Sequence, residues 1–197
     1  MTASPQQSDE EPRPFGREAT IDAVIRVAAD RLVSIGPSRM TVRSVAEEAG
    51  VNHALVHRHL GTKEQLVSLA LESLAKECDV AIRRSMALGS SPMQLAALPA
   101  VRRYVHALAS TLTDAPGLAR QSDYPVLHNL SGHGAAAGLD SNAADARAIA
   151  QLSTAFGFVL FAPFLADAAG LPEARRGLIA DDLDRALGAL DDELGLS

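Results

Sequence analysis

A chain of 197 residues with one cysteine and a formal net charge of −6 is long enough for one domain or two closely packed ones. It cannot carry an internal disulfide framework, and it is not a protein that coats nucleic acid over its whole surface. Aromatic residues make up only 4% and few stretches alternate apolar and polar residues over the length of a strand, so an all-α architecture is expected.

The opening MTASPQQSDEEPRP holds three acids and three prolines and lacks the basic and apolar regions of a signal peptide; residues 1–14 are expected to be a disordered tail. A first helix is expected from about Arg17 to Ser34, its Ile21, Val24, Ile25, Ala28 and Leu32 recurring at three and four residues. Gly36 and Pro37 stop it. Thr41 caps a second, short helix with Val42, Val45, Ala46 and Ala49 on one side, and Gly50 supplies the left-handed residue that ends it.

After Val51, Asn52 caps a third helix of about two turns in which Val56 and Leu60 point inward. Gly61 closes it. Thr62 then opens a long fourth helix with T-K-E-Q, a capping box in which Gln65 returns a hydrogen bond to the Thr62 backbone. Cys78 in this helix reads as a small half-buried residue of a reducing cytoplasm. The fourth helix reaches about Ala87 and joins a domain over residues 15–75 to a C-terminal one over 76–197, with GSSP at 89–92 breaking the chain.

Beyond that break come a helix ending near Thr113 and bent at Pro99, a less regular section from Asp114 to Ser141, a long helix to Ala169, and a last helix from about Glu173 to Leu194. The longest apolar run, AFGFVLFAPFLA from Ala155 to Ala166, is shorter than the roughly 18–20 residues needed to cross a bilayer. It is expected to be a buried helix, with no membrane partner. HNLSGHG, with His128 and His133, is read as a loop or short helix at a pocket entrance.

The segment 13–76 holds nine Lys+Arg against seven Asp+Glu, the one positive stretch in an acidic chain, and it contains His53, His57 and His59. Two short helices joined by a tight glycine-containing turn, with a third behind, make a helix-turn-helix. The free faces of its second helix carry His53, Ala54, Leu55, His57 and Arg58, polar donors flanking a small residue that lets the backbone approach a major groove. His53 and His57 are two ligands short of a metal site, with no HExxH glutamate and no cysteine pair; neither metal nor other cofactor is expected.

From Ala19 to Leu71 the chain, with its core TVRSVAEEAGVNHALVHRHLGTKEQL, resembles the N-terminal domain of the TetR family of bacterial transcriptional regulators. The resemblance implies Thr41 and Val42 against phosphates, Arg43 on a base or phosphate, and Asn52, His53, Leu55 and His57 as the recognition surface. It also places His59 and Lys63 on the DNA backbone; Lys63 stands in the first turn of a helix whose free N–H groups favour an anion. Two positions depart from the family: His57, where an aromatic is usual, and Leu60, where phenylalanine is usual.

The same resemblance implies a homodimer built on the last two helices, and Ile179, Leu183, Leu187, Leu190 and Leu194 form an apolar stripe suited to it. Tyr104, Tyr124, His128, Phe158 and Phe161 are the candidate walls of an apolar ligand pocket. The expected function is a cytoplasmic, non-enzymatic regulator, a repressor that binds a palindromic DNA operator as a homodimer and is released by a small apolar ligand. The competing reading is an all-α binding protein or enzyme that uses the C-terminal pocket and keeps the helix-turn-helix as scaffold.

Overall fold

The computed structural model describes residues 17–119, 123–176 and 178–185, and among these there are helices and connections but no strand. Helix α1 spans Arg17–Arg39 with a break at Gly36 (φ 72°), where the glycine-proline pair was expected to stop it. Then follow α2 (Val42–Glu48), α3 (His53–Leu60), α4 (Lys63–Met86), α5 (Pro92–Ala96) and α6 (Pro99–Asp114). A 3-10 turn at Pro116–Leu118 leads to α7 (Pro125–Ala136), α8 (Ser141–Ala168) and α9 (Glu173–Arg176), and residues 179–185 are helical again.

The core is continuous from end to end. Val24, Ala28 and Leu32 of α1 meet Leu66, Leu71 and Leu74 of α4, and Val101 and Val105 of α6 close over them. Helix α6 packs on both α1 and α4, and Arg103 of α6 holds Asp30 of α1 at 2.7 Å. The long α4 therefore runs from the helix-turn-helix into the C-terminal half, packed on α1 and α6 and with Lys76, Glu77 and Val80 exposed.

Pro99 does not bend a helix; it starts one. It stands in the first turn of α6, where a missing N–H costs nothing, and the preceding α5 is a separate helix whose Ser91 hydroxyl accepts from Gln94 N. The section expected to be irregular contains α7, twelve residues long, which packs along α8. A Cβ on Gly134 would lie 3.1 Å from Ala144 Cβ, so the glycine permits the two backbones to approach. Asn129 of α7 also donates to the buried Asp79 carboxylate of α4 at 3.3 Å, and Arg83 pairs with the same group at 2.7 Å. A carboxylate in the core requires such partners.

The expectation for α8 needs correction in two respects. Over its 28 residues a window of 18 reaches a mean hydropathy of 1.8, enough by length and composition to cross a bilayer. Nor is it a buried helix: Ala144, Ala148, Val159 and Ala166 are buried, but Phe161, Phe164 and Leu165 are 58%, 69% and 58% exposed. The apolar run continues past the core, and among the described residues one stripe of it, with Phe161, Phe164 and Leu165, stays exposed.

The single last helix is, over the described residues, two pieces. Asp184 in the second accepts from the Ser91 hydroxyl and from Met93 N at 3.0 Å, which fastens this end of the chain to the start of α5. Leu187, Leu190 and Leu194, like the tail at 1–14, lie outside the described residues.

Candidate nucleic-acid interface

Local sequence chemistry sets the helix-turn-helix. Thr41 Oγ1 accepts from Ser44 N at 3.1 Å and opens α2; Val42, Val45 and Ala46 bury its inner side. At the far end Gly50 takes φ 67°, and Val51 N–H returns to the Ala46 carbonyl at 3.0 Å. This left-handed turn lets α3 start after only Val51 and Asn52. Asn52 Oδ1 accepts from Ala54 N at 2.8 Å, satisfying one of the free N–H groups of α3.

Helix α3 is propped from behind by Val56 and Leu60, 3% and 7% exposed. Everything else on it faces outward: His53, Ala54, Leu55, His57, Arg58 and His59 are all exposed. The His53 and His57 rings meet edge to face, centroids 4.9 Å apart, and Leu55 stands 42% exposed. The two imidazoles and the guanidinium provide donors for base edges and phosphates, and Leu55, at the edge of a cleft shared with Thr20 and Ile21 of α1, an apolar contact for a thymine methyl. Among the described residues no cluster of three His, Cys, Asp or Glu side chains is placed to hold a metal.

The flanking helices add cations. Arg43 is exposed and paired with Glu47 at 2.8 Å, an ion pair too solvated to hold it back. Lys63 at the start of α4 donates to the Ser38 carbonyl at 3.3 Å. Thr62 and Gln65 form the expected box, with Gln65 Oε1 accepting from Thr62 N at 2.8 Å. Arg31 of α1 grips Glu48 of α2 at 2.6 Å and fixes the angle between these helices.

Two features modify what the resemblance implies. Val42 is 8% exposed and belongs to the core, so its side chain is not on the phosphate-facing surface and only its backbone N–H at the α2 terminus is available there. Glu64, beside Lys63, is held below the usual carboxylate range by the Thr62 hydroxyl and its own backbone N–H. A stabilised anion at the N-terminus of α4 competes with phosphate for the same N–H groups.

Comparison with known proteins gives the family of the chain. The family model for bacterial regulatory proteins of the tetR family matches residues 24–70. The chain is 31% identical over 175 residues to the HTH-type transcriptional repressor Rv3405c of Mycobacterium tuberculosis, covering 88% of this chain and 89% of that protein. The chain belongs to the TetR family.

Among other TetR-like relatives, the HTH-type regulator BetI of Rhizobium meliloti is 39% identical over 61 residues, 31% of this chain and 28% of that one. The crystal structure of a transcriptional regulator from Rhodococcus sp. Rha1 shares the fold: its TM-score is 0.60 at 24% identity, over 87% of this chain and 96% of that one. This TetR-family chain is therefore an HTH transcriptional regulator.

A cavity of about 310 Å³, partly open to solvent, lies in the C-terminal half. Its walls come from Ile82 and Met86 of α4, Leu95 and Ala96 of α5, Val101 of α6, Leu130 of α7 and the N-terminal half of α8. None of the five side chains singled out from the sequence lines it. Tyr104 is buried in the core against Phe156, ring centroids 6.1 Å apart. Tyr124 is 42% exposed, and His128 faces solvent beside Asp123 at 3.1 Å. Phe158 lines a different cleft, between α8 and Ile179, and Phe161 is on the open stripe of α8.

Arg147, Gln151 and Phe156, which do line the cavity, were not singled out; Arg147, Gln151 and Ala155 recur at four-residue steps along α8 with Phe156 beside them, in the half of the helix that precedes its conspicuous apolar run. Of the proposed dimer stripe, Ile179 and Leu183 are half-buried. The remainder falls outside the described residues.

Proposed function

We propose that this TetR-family regulator is a repressor that binds a palindromic operator as a homodimer in the cytoplasm and lets go of it when a small ligand enters the 310 Å³ cavity. The observation that carries the DNA reading is the outward face of α3, where His53, Leu55, His57 and Arg58 stand on a rod anchored by only Val56 and Leu60. Asn52, His59, Thr41, Arg43 and Lys63 frame it for phosphates. A single two-turn reader binds weakly, and a two-fold pair on half-sites about one helical turn apart is the usual remedy.

The open stripe of α8 supports the homodimer. Phe161, Phe164 and Leu165 fall at spacings that share one helical face, and Leu178 is 51% exposed beyond the end of that helix. A second copy of the same stripe would bury it.

Coupling between cavity and DNA has short physical routes. Helix α4 carries Ile82 and Met86 at the cavity and Lys63 at its DNA-facing end. Helix α6 carries Val101 at the cavity and, two residues on, the Arg103 that holds Asp30 of α1. A ligand that prefers one arrangement of these helices changes the distance between the paired recognition helices, and a coupling of about 1–3 kcal/mol suffices.

The test is a salt titration of binding to random duplex DNA, repeated with Lys63→Ala. The expected result is a steep negative slope of log K against log salt, reduced by about one unit in the variant. A flat response in the wild type would contradict the DNA reading.

A further inference from the structure

The cavity has an ordered polarity. On α8, Arg147, Gln151 and Ala155 follow one another at four-residue steps, with Leu152 and Phe156 beside them, and all five line the cavity. At about 1.5 Å rise per residue the Arg147 and Phe156 backbones are roughly 13 Å apart, so this wall runs from a guanidinium through an amide to an aromatic ring. The facing walls from α4, α5, α6 and α7 are apolar apart from Ser90, and among the described residues no carboxylate lines the space.

We propose that the ligand is a single-headed carboxylate amphiphile, its carboxylate on Arg147 with Gln151 as second donor, and its apolar body extended toward Phe156. This rests on the reading of the C-terminal half as the ligand sensor. A bare anion does not enter an apolar cavity, because the lost hydration is not returned unless a charge-assisted partner is present. Arg147 is half-buried and already engaged within the protein. Its guanidinium presents five N–H donors in a planar fork, a geometry that matches a carboxylate.

The same charge repels an alkylammonium, and a neutral alcohol meets the fork with one weaker hydrogen bond. The chemistry thus sets an order of binding: carboxylate first, alcohol second, ammonium last. The volume suits a chain the size of decanoate, about twelve non-hydrogen atoms.

The experiment is calorimetric titration of the full-length protein, without DNA, with decanoate, decanol and decylamine below their aggregation limits. Decanoate is expected to bind about tenfold more tightly than decanol, the worth of one charge-assisted bond, with decylamine weakest. Arg147→Gln is expected to bring decanoate down to the level of decanol and to leave decanol within about twofold. Should that variant fail to fold, Arg147→Lys, which keeps the charge and loses the fork, is expected to show an intermediate preference.

Equal binding of the three probes, no binding of any, or a preference for decanoate that survives Arg147→Gln would each overturn the proposal. Because no DNA is present, the outcomes separate: a protein that prefers decanoate but shows no salt-dependent binding to duplex overturns the regulatory reading alone. One that binds duplex without the preference overturns this one.

Discussion

Gly61, the residue between the recognition helix and α4, combines two constraints that a pair of substitutions can separate. Its φ of 73° and ψ of −130° belong to a region that is nearly closed to residues with a Cβ, and forcing alanine there costs about 2 kcal/mol. A Cβ would also lie 1.7 Å from Gln65 Oε1, the atom that accepts from Thr62 N. Gln65 can swing away, but its half of the capping box is then lost, at about 1 kcal/mol, while Thr62 Oγ1 still accepts from Gln65 N.

Gly61→Ala is therefore expected to cost about 3 kcal/mol and Gln65→Ala about 1 kcal/mol. The double variant should cost about 3 kcal/mol and not 4, because the first change has already removed that half of the box. With no tryptophan in the chain, urea unfolding is best followed by circular dichroism. Strict additivity of the two changes would refute the reasoning, since it would mean that the Gln65 bond survives beside the new methyl group.

Two further outcomes follow from burial. Phe164→Glu, on the open stripe of α8, is expected to convert a dimer to a folded monomer in sedimentation; a variant that remains dimeric places the interface elsewhere. The Cys78 thiol is pushed from 9.0 up to about 12 by burial first and by the neighbouring Asp79 second. A raised value in the folded state means that the stabilisation is complete below about pH 9 and is lost as pH climbs toward 12. Relative to Cys78→Ala, the native chain should lose additional stability over that alkaline window, and iodoacetamide at pH 8 should modify Cys78 only in urea. Alkylation of the folded chain at the unfolded rate would show the thiol to be accessible.

The helix-turn-helix was legible because its signals are local. Thr41, Gly50, Asn52, Gly61 and the Thr62–Gln65 box act within a few residues of themselves, and the structure places each where the chain order implies. Val42 likewise lies where its spacing put it, on the buried side of α2 with Val45 and Ala46, which leaves only its backbone N–H at the helix start.

Where partners are distant the sequence was silent. The glycines of α7 argued against a helix, yet Gly134 is what allows α7 to approach Ala144. Asp184 looked like one of several solvated acids and in fact caps a helix 91 residues earlier in the chain. The lining of the cavity was not legible for a related reason: aromatic rings are conspicuous in a sequence with so few, but enclosing space depends on which helices meet, and those helices bring mainly aliphatic side chains, with Arg147, Gln151 and Phe156 from α8.

The central claim is that the outer face of α3 touches DNA, and cross-linking tests it most directly. Buried Cys78 does not compete for a thiol reagent, so Leu55→Cys can be labelled alone with a photoactivated azide, and Leu88→Cys, 86% exposed just past the end of α4, serves as control. Irradiation with duplex DNA is expected to attach DNA to the probe at position 55 and not to the one at position 88. Attachment at 88 without attachment at 55 would contradict the account.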